Sequence, residues 1–277
     1  MKSIDSHAHL LHDATGFARF VESGVYEEIW LAELPEQIFP DVRFASREEL
    51  LRTAKEFPEQ IRLFGYLDLP QDPSEVDRLK ELGFFGLKPY KPALPWNSEA
   101  YYPCYARAAE LGMPILFHTG LVGPGAGFPE QGGHGFGSEN MRPSHLAGIA
   151  EAFPELTILG GHLGWPYLEE TAQNLYYYRN ITHDVSGCLR SFSQLPEFFD
   201  RRCHDGTGRF FNQKLRFATD TFYGSEEQCA RSVRLHEFWR RWFEFVGELH
   251  YRWGAPEEAD KFFYENAKSI AEKSTAI

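Results

Sequence analysis

Residues 144–162 read SHLAGIAEAFPELTILGGH, and three signals follow one another in that stretch. Leu146, Ala150 and Phe153 recur at the spacing of one face of an α-helix. Pro154 then stops the helix, because proline fixes φ and has no N–H to donate. Leu156 to Leu159 form a short apolar run that suits a strand, and the run ends on two glycines and His162. The same unit stands earlier, at residues 47–63, REELLRTAKEFPEQIRL. There Leu50, Ala54 and Phe57 share a helical face, Pro58 breaks it, and Ile61 opens the next strand.

Outward from these units the chain keeps alternating helical patterns with strand-like runs. The runs are residues 2–9, 28–31, 61–68, 84–88, 114–118, 156–162, 181–186 and 215–220. Several are continuously apolar, such as Ile115-Leu116-Phe117, as parallel strands covered on both faces require. Eight runs separated by helices predict an α/β fold, a (β/α)8 TIM barrel, as one domain over residues 1–277. The same alternation allows an open doubly wound sheet. Helical stretches at 225–245 and 256–272 would complete the outer ring.

Composition narrows the function. The 277 residues carry 43% hydrophobic and 25% charged residues, ordinary for a globular chain. The net charge of −12 repels phosphate backbones, which speaks against a nucleic-acid partner. No apolar run is long enough to span a membrane. Four scattered cysteines, without a Cys-x-x-Cys pair, read as reduced thiols. Potential ligands begin at His7, where a cleavable leader would discard them, so a cytoplasmic enzyme is expected.

The polar residues that close the runs carry the chemistry. His7 and His9 stand two apart, so on a strand both rings share a face. His118, His162, Asp220 and Lys88 each end an apolar run. In a barrel all carboxyl ends of the strands gather at one rim, so these groups would converge there. Imidazoles and a carboxylate suit a divalent cation, Zn2+ foremost, with Mn2+ or Fe2+ as alternatives. Such an ion acidifies water at neutral pH, while Asp220 can take the released proton and His162 can act as acid or base.

These residues carry a resemblance. Ile4-Asp5-Ser6-His7-Ala8-His9, His118-Thr119-Gly120, His162-Leu163-Gly164, Thr219-Asp220 and Tyr264-Glu265-Asn266-Ala267 together resemble the amidohydrolase superfamily. The nearest branch is the amidohydrolase-related group of barrel hydrolases, which includes lactonases and aminocarboxymuconate-semialdehyde-type decarboxylases. The resemblance implies that His7, His9, His118 and Asp220 are metal ligands. It also implies that His162 is the catalytic acid/base or a ligand to a second metal.

Lys88, in Leu87-Lys88-Pro89-Tyr90, is open to three readings: a cation for a substrate carboxylate, a carbamylated bridge between metals, or a salt bridge. Lys88, Tyr90 and Arg142 are the candidate substrate contacts, with Arg142 forking onto a carboxylate. Trp96 and His134 are softer candidates, and Asp184 could support a ligand. Residues 119–137 form a glycine-rich insertion, either a lid or a surface excursion. The aromatic stretches 175–178 and 238–245 read as helix packing or as a contact in a homo-oligomer.

The expected function is a metal-dependent hydrolase of a small carboxylated ester, lactone or amide. The alternative is a metal-dependent non-oxidative decarboxylase of an unsaturated or aromatic acid. A catalytically silent barrel is a third reading.

Overall fold

The computed structural model of the chain describes residues 1–36, 38–39, 41–69, 72–122, 139–187, 214–249 and 256–275. Both signal units fold as read. Helix α2 (Arg47–Glu56) starts in a reciprocal cap: Ser46 Oγ accepts the Glu49 N–H, and the Glu49 carboxylate accepts the Ser46 N–H at 2.8 Å. It ends at Phe57, one residue before Pro58. Helix α5 (Ser144–Ala152) likewise ends before Pro154. Each leads into a strand, β3 (Ile61–Tyr66) and β6 (Ile158–Gly160).

The remaining strands are β1 (Ile4–Leu10), β2 (Glu28–Ala32), β4 (Gly86–Lys88), β5 (Ile115–Phe117), β7 (Ile181–Asp184), β8 (Leu215–Arg216) and β9 (Phe222–Tyr223). All pairings between these strands are parallel, in the order β8-β7-β6-β5-β4-β3-β2-β1-β9. Helices α1 (Phe17–Glu22), α3 (Ser74–Glu81), α4 (Tyr102–Glu110) and α6 (Leu168–Tyr177) lie between strands, and the architecture is an α/β TIM barrel. The expected eighth strand, 215–220, is split in two. Asp220 adopts a left-handed φ of 52°, and the chain crosses from the β7 edge to the β1 edge. Ser6 N–H donates to Phe217 O at 3.2 Å, and His9 N–H to Thr221 O at 2.9 Å. One interrupted strand thus closes the ring.

Inside the ring Ile4, Trp30, Phe64, Leu116 and Leu159 pack together. Ala267, Ile270 and Ala271 of the C-terminal helix Asn266–Thr275 plug this core. Their helix sits at the amino ends of the strands, where Lys268 Nζ reaches Glu28 at 2.9 Å. The register of β1 on β2 slips between Asp5 and Ala8, so one extra residue is inserted there. Such a bulge re-aims the side chains that follow it. Ile4 packs in the inner core and Ser6 accepts a hydrogen bond from the buried Arg216, and beyond the slip His7 and His9 line the upper cavity. In the long helix Glu226–Leu249, Trp239 and Phe243 pack on Phe262, so that aromatic stretch serves packing. Tyr177 on α6 is 71% exposed.

Candidate metal centre

The groups at the carboxyl ends of the strands meet around a cavity of about 760 Å³. His7, His9, Lys88, Tyr90, His118, His162 and Asp220 all line it. Backbone contacts hold the kinked segment against β1. Thr219 N–H and Oγ1–H donate to the Asp5 carboxylate at 2.9 and 2.6 Å, Tyr223 O–H donates to it at 2.7 Å, and Asp220 N–H donates to His7 O at 2.9 Å. Burial raises the Asp5 carboxyl to about 7.

The two β1 imidazoles are oriented by acceptors on their Nδ1 side. His7 Nδ1–H donates to Asp184 Oδ2 at 3.0 Å, and His9 Nδ1–H donates to Ala32 O at 2.7 Å. A carboxylate and a carbonyl only accept, so each ring keeps its Nε2 lone pair for the cavity. His9 Nε2 lies 3.3 Å from Asp220 Oδ1 and His7 Nε2 lies 3.9 Å from it. His162 Nε2 lies 3.1 Å from His118 Nδ1. Lys88 Nζ lies 3.3 Å from His7 Nε2. Ligand atoms around a tetrahedral zinc ion sit roughly 3.4 Å from one another, given bonds of ~2.1 Å.

Acceptor faces acceptor at several of these approaches, which a divalent cation relieves by taking the lone pairs together. The donor set therefore fits a cation. One atom each from His7, His162 and Asp220 falls within 4.8 Å of the others, so His162 stands among the possible ligands as well. Electrostatics agree with this chemistry. Burial, with the Lys88 charge, lowers His7 to about 3, keeping it neutral. Burial, His162 and Lys88 hold His118 well below the usual imidazole range. Burial opposes ionisation of Asp220, but the neighbouring His9, His162 and His7 outweigh it and hold its carboxyl well below the usual range. Burial lowers Lys88 to about 8.

His162 and Asp220 both occupy left-handed backbone, φ 63° and 52°, a conformation that costs a residue bearing a Cβ on the order of 1 kcal/mol. Tyr90 sets its ring edge-on to His118 with centroids 5.2 Å apart. Trp96 is buried and donates Nε1–H to His118 O at 2.9 Å, so it supports the rim from below.

Arg142 corrects an expectation. It does not line the cavity; its guanidinium is occupied by Glu170 and Glu139 and lies over the Tyr167 ring. His134 and most of the glycine-rich insertion lie outside the described residues. Among the described residues the sequence reading passed over Ser186, which bonds both His162 and Asp184, and the apolar walls Phe39, Trp165, Phe222 and Trp239. Ser186 closes the seventh run as His162 closes the sixth, and that position was its one signal.

Comparisons with known proteins follow the same line. A Bordetella bronchiseptica TIM-barrel protein superposes with a TM-score of 0.72 at 14% identity, covering 99% of this chain and 100% of that one. An Acinetobacter baumannii protein described as a probable 2-pyrone-4,6-dicarboxylic acid hydrolase, with citric acid bound, superposes at 0.58, with 13% identity and 98% and 100% covered. The 5-carboxyvanillate decarboxylase of Novosphingobium aromaticivorans, complexed with manganese and 4-hydroxy-3-methoxy-5-nitrobenzoic acid, superposes at 0.55, with 18% identity and 92% and 79% covered. At such identities the likeness shows the fold. No curated protein matches the chain. The amidohydrolase sequence profile matches residues 32–270, from the end of β2 into the C-terminal helix. On that match the chain belongs to the amidohydrolase family.

Proposed function

We propose that the chain is a metal-dependent hydrolase that attacks the carbonyl of a small carboxylated ester, lactone or amide. The observation that carries this reading is the convergence of His7, His9, His118, His162 and Asp220, with lone pairs turned inward, on one cavity. The ligands are His7, His9, His118 and Asp220, and the cation is Zn2+, or Mn2+ or Fe2+ in the same donors. When bound, it supplies Lewis acidity that polarises a carbonyl and makes water more acidic.

The chain's own groups do the rest. Asp220 accepts the proton that the attacking water loses. His162 takes up that proton at its bare Nε2 and delivers it to the leaving oxygen or nitrogen. Lys88, which lines the cavity, offers a cation to a substrate carboxylate. Burial raises the Tyr90 phenol far above its ordinary value, so it stays a donor facing the same carboxylate.

A second reading, decarboxylation, is favoured by the cavity walls. Phe39, Tyr90, Trp165, Phe222 and Trp239 suit a flat unsaturated acid. There the electrons of the broken carbon–carbon bond would stay on the ring carbon, which takes a proton that His162 Nε2 has gained from solvent, as CO2 leaves.

Elemental analysis of protein purified without chelator should find about one divalent cation per chain. A panel of lactones, esters, amides and carboxylated aromatics should then show water consumption. CO2 release without water uptake would replace the first reading with the second, and metal-free protein active on the panel would refute both.

A further inference from the structure

The carboxylate of Asp184 is fully buried, yet four hydrogen bonds converge on it. Oδ2 accepts from His7 Nδ1–H at 3.0 Å. Oδ1 accepts from the Ser186 hydroxyl at 2.6 Å, from Ser186 N–H at 3.0 Å and from His162 N–H at 3.0 Å. Two of these donors are backbone N–H groups, which can only donate, and all four point at the carboxylate, so Asp184 acts as an acceptor only.

That settles the proton on Ser186. A hydroxyl has one proton, and at 2.6 Å from an anion it is committed to Asp184. The remaining lone pairs of Ser186 Oγ can only accept. Oγ lies 2.9 Å from His162 Nδ1, and the Ser186 carbonyl oxygen lies 3.3 Å from the same nitrogen. Two acceptors flank Nδ1, so Nδ1 carries the proton and Nε2 is left bare toward the cavity.

We infer that Ser186 is a positioning residue: its hydroxyl fixes the Nδ1–H form of His162 and links that ring to the carboxylate that orients His7. One buried anion then sets two imidazoles, His7 directly and His162 through a hydroxyl. The inference rests on the reading of His162 as the proton-transfer group, for which only the bare Nε2 form can accept a proton. When Nε2 takes one, the charge on the ring is met at Nδ1 by Ser186 Oγ, itself polarised by Asp184. The interposed hydroxyl places Asp184 one bond further from His162 than from His7. The two rings should respond differently to the same carboxylate, and removing the hydroxyl should touch only one of them.

The test compares Ser186→Ala and Ser186→Thr in zinc-supplemented protein with 15N-labelled histidine. In the wild type the His162 signals should show a protonated Nδ1 and a bare Nε2, and Ser186→Ala should show a mixture of the two forms. Zinc content and the His7 signals should not move. On whichever panel substrate turns over, kcat should fall about 10- to 100-fold in Ser186→Ala with KM unchanged, and Ser186→Thr should recover most of the loss. A protonated Nε2 in the wild type, an unchanged spectrum in Ser186→Ala, or a loss confined to KM would overturn the proposal. If His162→Asn turns over at the wild-type rate, the acid/base reading of His162 fails, while the labelled spectrum still decides whether Ser186 holds the ring.

Discussion

At the scale of single residues, His162 fits two roles. It shares a donor group with His7 and Asp220, and its ring is held at Nδ1 by Ser186 as those of His7 and His9 are held by Asp184 and Ala32. A ring held on one side and bare on the other suits proton transfer as well as ligation, and a variant separates the two. His162→Asn should keep the cation and lose turnover by about 10²–10⁴-fold, read by elemental analysis beside steady-state kinetics. Loss of the cation in that variant would instead make His162 a ligand.

His183 gives a stability prediction. It is fully buried, and among the described residues neither ring nitrogen has a hydrogen-bond partner. Burial lowers it from 6.5 to about 3. Above pH 6.5 the ring is neutral in folded and unfolded chains alike, and its titration adds nothing to the pH dependence of stability. Between 6.5 and about 3 only the unfolded chain takes up the proton, so stability falls as the pH falls, by ~1.4 kcal/mol per pH unit. Urea midpoints at pH 6.5 and 5 should show His183→Leu losing about 2 kcal/mol less than the wild type over that interval. Parallel acid slopes would mean that His183 is not kept neutral.

Elements show which parts of the fold were legible. The units around Pro58 and Pro154 were readable because helix period, breaker and apolar run sit within one short window, and the local signal agrees with the tertiary outcome. The split of the eighth run was not readable. A left-handed φ at Asp220 has no local cause in Phe217-Ala218-Thr219-Asp220-Thr221; it is imposed by Asp5 and by the His7 carbonyl, far away in sequence. The β1 bulge was hidden likewise, although the alternation from His7 to His9 survived it. Arg142 misled for a related reason, since its carboxylate partner Glu170 comes from α6. Strands β6 and β7 offer a test of how tightly elements fit. A Cβ on Gly160 would stand 2.2 Å from His183 Cε1, in the middle of a buried ring. Gly160→Ala should cost roughly 1–3 kcal/mol in chemical denaturation, and His183→Ala on the same background should return part of that cost. Additive losses in the double variant would show that the two residues do not share that space.

For the whole molecule, the proposed ligands come from strand β1, from the residue after β5 and from the kink between β8 and β9, which meet only when the ring is closed. The unfolded chain has no equivalent site, so a bound cation stabilises the folded state by mass action, by about 4 kcal/mol at a thousandfold excess over Kd. In a chain of 277 residues a change of 1 kcal/mol shifts Tm by about 2–4 °C or slightly less. Dialysis against dipicolinate should therefore lower Tm by roughly 10 °C, and added zinc should restore it. The lower half of the barrel is fastened independently, by the C-terminal helix against Ile4, Trp30 and Leu159, so the cation-free protein should keep its circular dichroism spectrum. His7→Ala combined with His9→Ala should melt near the cation-free temperature and ignore both treatments. If that variant still gains several degrees from zinc, the cation binds elsewhere, and the rim built by β1 is not the metal centre.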